Sequence, residues 1–492
     1  MEIVKLKKSA FFVQVGSTMI IANLVCLTGF IYAWPSYTYA VFKSNETVLD
    51  APMTTGQLSL LGSFINVGAL VATPFCGYAV DKFGRKYSAM LFGLPYVMTW
   101  ALISVTKSVY LIIFAVGLAG FGAAGQAVSS VFISEICHDS IRGGLTSTTV
   151  SGFFVGLLFS YALGGYLSYY NVLYVHLVLS VFYIVMLALL KESPVFLLKC
   201  GKEKEAAESI AFYHRFELNS KELEIEIKKI KLQLDPKINL ILEAGSDDGK
   251  LTTELLDNPS SFTTKVEKRE SAWQFLRSSE SSKKALFSVL IVMATTILMG
   301  SIVLQVYAEP LFKEAVPTMH PNTCSILLAV DYLIASLVCG CTLDKYGRKT
   351  LMTITSIVSG IFTILLGSQL HLHWAPHWFT AFCIYGYCFV YNLGAAVVPF
   401  VLTAEVFLPE VRGICNSFSM ACMWIMNFGT TIIFYPLVEA CGLGPTFYFF
   451  SVVCFLGAFY SHFLLPETKG LSADAIQPLF LKKSRRKSQP RL

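Results

Sequence analysis

Apolar residues arrive in long blocks along this chain, such as Val67–Val80, Leu111–Ile133 and Val172–Leu190. A bilayer core about 30 Å thick takes roughly 20 apolar residues of helix, and about twelve blocks of that length can be marked. Their spans are 10–33, 57–80, 87–106, 109–133, 145–168, 172–190, 286–308, 324–343, 350–370, 378–402, 417–438 and 446–465. Between the sixth and seventh lies a polar stretch, residues 191–284, holding 17 basic and 17 acidic residues. Charged runs such as Lys221–Lys231 predict short amphipathic helices there, and the Ser/Asp/Gly-rich part near Gly245–Lys250 predicts loop. The pattern therefore predicts an all-α membrane protein. Residues 1–190 form one six-helix half, 191–284 a polar loop with short helices, 285–470 a second six-helix half, and 471–492 a tail.

Composition supports this reading. Of the 492 residues 54% are apolar and only 14% charged, against about 25% charged in an average soluble domain. The net charge is +6, and six Lys or Arg residues sit between Lys482 and Arg491. That tail can touch anionic lipid, although a solvated tail is the plainer reading, and nothing else suggests nucleic acid. The 13 cysteines show no pairing pattern and fall mostly in apolar blocks, where cysteine is a small hydrophobe. Cys339 and Cys341 do not have metal-ligand spacing. Met1–Ser9 runs into a block too long for a signal peptide, so it reads as the start of a retained first helix.

Basic residues set the expected orientation. With a cytoplasmic N-terminus, only Lys43, Lys107 and Lys313 of the 38 Lys and Arg residues fall in outer loops. The positive-inside rule then places both termini and the 191–284 loop in the cytoplasm, with the plasma membrane the expected location. Asn45-Glu46-Thr47 is the one glycosylation sequon, and it falls in the first outer loop. A chance sequon is equally compatible.

The halves repeat each other. Gly77-Tyr-Ala-Val-Asp81-Lys82-Phe-Gly84-Arg85-Lys86 returns 263 residues later as Gly340-Cys-Thr-Leu-Asp344-Lys345-Tyr-Gly347-Arg348-Lys349. Glu135, Arg142 and Gly143 return 270 residues later as Glu405, Arg412 and Gly413. Glu192-Ser193-Pro194 after the sixth span is answered by Pro466-Glu467-Thr468-Lys469-Gly470 after the twelfth. Two matched six-helix halves indicate a parallel repeat about an axis along the membrane normal.

On these motifs the chain resembles the major facilitator superfamily and, within it, the sugar porters, most of all the insect-type facilitated trehalose and hexose transporters. The resemblance implies transport of a small-molecule solute, a sugar in the first instance, by alternating access and facilitated diffusion. A carrier of a less polar solute, a proton-coupled symporter and a non-transporting nutrient sensor are the alternatives. It also implies that Asp81, Arg85, Glu135 and Arg142, with Asp344, Arg348, Glu405 and Arg412, form a cytoplasmic latch. Cation–carboxylate pairs there would clamp the halves together and favour an outward-open state.

The sugar-contact pattern of that family is thinner here. The usual glutamine-rich stretch of the seventh helix reads Thr296-Ile-Leu-Met-Gly300-Ser301-Ile302, the glutamine of the fifth falls on Val150, and the tenth carries Ala396-Val-Val-Pro399-Phe400. The expected lining is Thr296, Gln305, Tyr307, Asn392, Phe400, Trp424 and Asn427. Asp331 joins it on physical grounds. It is the one acid inside the twelve spans, which hold no Lys or Arg, and an intramembrane acid is a functional candidate by default. A position near the outer surface, in water, is the plainer alternative. The first span holds no acid, which argues against proton coupling.

No cofactor and no metal is expected. His371, His373 and His377 lack supporting ligands and read as a surface loop. No nucleotide-binding, nucleophile-elbow or zinc-protease pattern occurs, so an enzyme is not expected. The expected surroundings are lipid bilayer, and oligomeric state is not legible.

Overall fold

In the computed structural model, residues 7–234, 272–408, 411–471 and 473–480 are described. Among the described residues, twelve helices are long and apolar enough to cross a membrane, in two sets of six. The polar helices of the middle loop lie at one face of the bundle, the loop face, and the opposite end is the far face. Basic residues of the tail from Lys482 onward lie outside the described residues.

The first span runs Lys8–Lys43, ten residues beyond the predicted end. Pro35 reads as a stop in sequence, because proline removes a backbone donor inside a helix. Here the helix continues through it, held by burial of Trp34, Ser36, Thr38 and Phe42 and by Thr38 Oγ1 donating to the Trp34 carbonyl at 2.8 Å. The second span, Thr55–Phe83, starts at a Thr54/Gln57 capping box and stops at Gly84, whose φ is 89°. Gly347 ends the eighth helix, Pro321–Tyr346, in the same way, with φ 83°. Only glycine takes such a turn without strain.

Three spans that the hydrophobic pattern paints as continuous are broken. The fourth divides at Gly125 into Val109–Ala124 and Gln126–Ile136. The seventh runs Glu280–Leu298, turns at Gly300, and resumes as Ser301–Val306 and Ala308–Ala315. The tenth divides into His377–Leu393 and Val398–Glu405. Apolarity reports depth in the bilayer and is blind to such breaks.

Small residues let helices approach closely. A Cβ on Gly68 or Gly120 would meet the backbone of the facing helix, so spans two and four pack main chain to main chain. At the loop face, Pro194–Lys199, Glu203–His214 and Lys221–Leu234 gather around a small core of Ile210, Phe216, Leu223 and Ile230. The predicted loop near Gly245–Lys250 lies outside the described residues.

Candidate functional site

A broken membrane helix leaves carbonyls without intrahelical partners, and in hydrocarbon each must be satisfied. Tyrosines do this at the seventh-span break. Tyr387 donates to the Met299 carbonyl at 2.7 Å and Tyr391 to the Thr296 carbonyl at 3.1 Å. Thr296 Oγ1 in turn donates 3.1 Å to the Ala395 carbonyl in the tenth-span break, and the Tyr332 hydroxyl lies 3.1 Å from Ser301 Oγ. The two irregular segments are thus knitted together at mid-depth, under Tyr332 of the eighth span. Irregular backbone at that depth is where carriers of this architecture place their solute.

The expected lining residues distribute unevenly around this centre. Gln305 is buried, and its carbonyl accepts from the Tyr161 hydroxyl of the other half. Asn427 is buried with Oδ1 unpartnered. Asn392 is buried with its amide on the Cys388 carbonyl, and Phe400 is 37% exposed. Thr296 is a brace between the breaks. Two residues turn out to hold the halves together. Trp424 Nε1 donates to Thr73 Oγ1 at 3.0 Å, and Tyr307 sits against Gly62 and Tyr435, its hydroxyl 3.4 Å from the Thr431 carbonyl.

Asp331 sits at the edge of this centre. Tyr332 marks the inward side of its helix, meeting Ser301, Cys388 and Phe154. Asp331 is one residue, or about 100°, around, on the stripe of Leu327, Ile334 and Val338, all of them exposed. It is half-buried, with Oδ2 unpartnered. Its Oδ2 is nonetheless buried, within electrostatic reach of Cys388 and Tyr385 of the tenth span.

Toward the far face the two halves are tied by several groups. Tyr39 stacks on Tyr435 at 4.7 Å between centroids, and Thr55 Oγ1 donates to Glu439 at 2.8 Å. Ser36 Oγ accepts from the Glu309 amide at 2.8 Å. Described hydrogen bonds and ring contacts between the halves all lie between the far face and the depth of Trp424 and Ser151–Ser336.

The repeated charged motifs occupy the loop face, and in this arrangement, joined at the far face, each pairs within its own half. Arg85 forks onto Glu135 at 2.8 and 2.7 Å, within the first half. Arg348 forks onto Glu405, with bonds of 3.0 and 2.6 Å, within the second. Each pair ties neighbouring helices of one half and does not bridge the two. Arg142 pairs with Asp139 one turn away, Asp81 with Lys199 at 3.2 Å, and Arg412 reaches the Phe407 carbonyl at 3.4 Å. The Asp344 side chain lies outside the described residues.

Two acids complete each network. Glu192 accepts from the backbone amides of Arg85 and Lys86 at 2.9 and 3.0 Å, and Ser193 donates to Glu135. Glu467 accepts from the amides of Arg348 and Lys349 at 2.9 and 3.2 Å, and Thr468 donates to Glu405 at 2.8 Å. Burial pushes the Glu192 carboxyl up, opposed by those amides and by Arg85. Sequence reasoning saw these residues as repeat markers but not as helix-start ligands. Their matched place after each sixth helix was the available signal.

Asn45 is exposed in a turn at the far face. No group of three or more His, Cys, Asp or Glu among the described residues could hold a metal ion.

Twelve spans in two matched halves, broken at mid-depth and tied within each half at one face, define a membrane carrier of the major facilitator fold. The xylose transporter XylE from E. coli shares that fold. In its inward-open conformation it superimposes with a TM-score of 0.73 at 17% identity, over 94% of this chain and 98% of that one. The chain belongs to the Sugar (and other) transporter family, whose model matches residues 9–480. Among curated relatives, the facilitated trehalose transporter Tret1 of Polypedilum vanderplanki is 22% identical over 97% of this chain and 90% of its own length. That of Aedes aegypti is 23% identical over 94% of this chain, which spans about half (54%) of that relative.

Proposed function

We propose that the protein moves a sugar across the plasma membrane by facilitated diffusion, without covalent chemistry, with the loop face and both termini in the cytoplasm. The observation that carries this reading is the arrangement around the broken seventh and tenth spans. Gln305 and Asn427 offer buried amide groups beside a joint between the halves, and a sugar needs several such partners, since each unpaired buried hydroxyl costs about 1–3 kcal/mol. Trehalose is the first candidate, because the relatives named above are facilitated trehalose transporters. The ties between Tyr39, Tyr307, Tyr435 and Glu439 make this an inward-facing arrangement, closed to the outside.

Counterflow in vesicles containing purified protein tests the reading. Labelled trehalose or glucose should equilibrate and should not accumulate, with or without a proton gradient. Asp331→Asn should alter affinity or rate and leave that endpoint unchanged, because the second span, its counterpart in the other half, offers no matched acid for a proton relay. Accumulation driven by a proton gradient and abolished by Asp331→Asn would overturn uniport, and failure of every sugar to equilibrate would overturn the substrate class. For orientation, a glycan on Asn45 should slow the protein's migration, and the shift should vanish in Asn45→Gln. Labelling that puts residues 191–234 on the same side as Asn45 would reverse it.

A further inference from the structure

A cavity of about 560 Å³ opens at the loop face, between the turn joining spans two and three, the end of span six and the helices that follow it. Its charged lining is Lys82, Lys86, Lys191 and Lys202 against Glu192, Glu205 and Glu208. The acids are occupied. Glu192 holds the backbone amides described above, Glu205 pairs with Lys202 at 3.1 Å, and Glu208 with Lys191 at 3.5 Å. Lys82 and Lys86 have no carboxylate within ion-pair distance among the described residues. Their Nζ atoms rest on the Tyr78 hydroxyl and the Ala188 carbonyl, each at 2.7 Å. Two ammonium groups with no ion-pair contact among the described residues, four residues apart across a tight turn, thus share one cavity.

What lies beside the cavity is apolar and outward-facing. Tyr87, Leu91, Leu94 and Met98 form an exposed stripe up the third span, spaced by three and four residues. Phe182, Val185 and Leu189 form a matching exposed stripe on the sixth. The two helices are packed together, with Tyr183 donating to the Ala89 carbonyl at 3.2 Å and Gly93 against the Tyr183 ring. A cationic cavity therefore stands at the mouth of a seam running into the bilayer. Basic pockets between membrane helices take anionic headgroups for this reason.

We infer that this cavity is a binding site for an anionic glycerophospholipid, its phosphate and headgroup between Lys82 and Lys86 and its acyl chains along the seam of spans three and six. A soluble phosphate would use the lysines alone and gain nothing from the seam, which is why the lipid is favoured. The occupied cavity would also bear on Gly84 and Glu192, and so on the network that ties the first half together.

Cys200 lines the cavity and is exposed, whereas Cys441, also exposed, lies at the far face. Maleimide labelling of the wild-type full chain in vesicles, read by peptide mass, gives a test that needs no substitution. Phosphatidylserine in a phosphatidylcholine bilayer should slow Cys200 labelling about tenfold relative to Cys441. Lys82→Gln with Lys86→Gln should remove that protection. Equal labelling ratios in the two bilayers would overturn the proposal, as would protection that survives the double substitution. Equal protection by inorganic phosphate or glycerophosphoserine would assign the cavity to a soluble anion instead. If the double variant does not fold, Lys82→Gln alone should weaken the protection, and the wild-type comparison still decides.

Discussion

Arg85 and Glu135 show how much one charged pair can control. Their side chains are 9% and 13% exposed, and a buried ion pair that loses one partner costs about 3–5 kcal/mol, whereas removing both in favour of apolar groups costs far less. Arg85→Ala should therefore lower thermal stability in detergent markedly, and Arg85→Met with Glu135→Leu should recover most of the loss. A single variant that keeps wild-type stability while only redistributing the open states would restore the clamp between halves. At this scale the sequence was partly legible. The motif identified the pair, but adjacency of spans three and four within one half is a tertiary fact that residue spacing does not carry. A wheel through Leu327, Ile334 and Val338 sets Asp331 about 100° from Tyr332, but residue spacing does not carry the burial of its Oδ2 beside the tenth span.

Among the elements, the helix Glu203–His214 is poised to respond to pH. Burial lowers the His214 pKa to about 4, with Glu226 opposing and His138 and Lys229 reinforcing the shift. Unfolded histidine titrates near 6.5, so the folded helix binds fewer protons than the unfolded one between those values. Its docking is thus fully stable above about pH 6.5 and weakens as pH falls toward 4, by on the order of 2–3 kcal/mol. Hydrogen exchange over residues 203–234 should be slow at pH 7.5 and faster near pH 5 after correction for intrinsic rates, and His214→Gln should flatten the difference. No change in protection between those pH values would exclude this switch. The twelve spans themselves were legible because bilayer depth demands long apolar runs. The break in the seventh was not, because its carbonyls are met by tyrosines of the tenth span, distant in sequence.

For the whole molecule, the ties at the far face define one end of a conformational cycle. Thr55 and Glu439 touch only while the halves are joined there. Thr55→Cys with Glu439→Cys, in a Cys441→Ser background, should form a disulfide that stops counterflow, and reductant should restore it. Undiminished counterflow in the crosslinked protein would show that these ends need not part during transport.

The acids that complete the two networks also leave the ribosome at very different times. Glu192 and Ser193 follow the sixth span directly, so the first half has these partners of Arg85 and Glu135 before the rest of the middle loop is made. The second half must wait for Glu467 and Thr468, nearly the last residues before the tail. During synthesis the first half can lock while the second is still being translated, and a chain stopped shortly before residue 467 would strand Arg348 and Glu405 in an unfinished bundle. A late premature stop therefore leaves one half with its network complete joined to one without it.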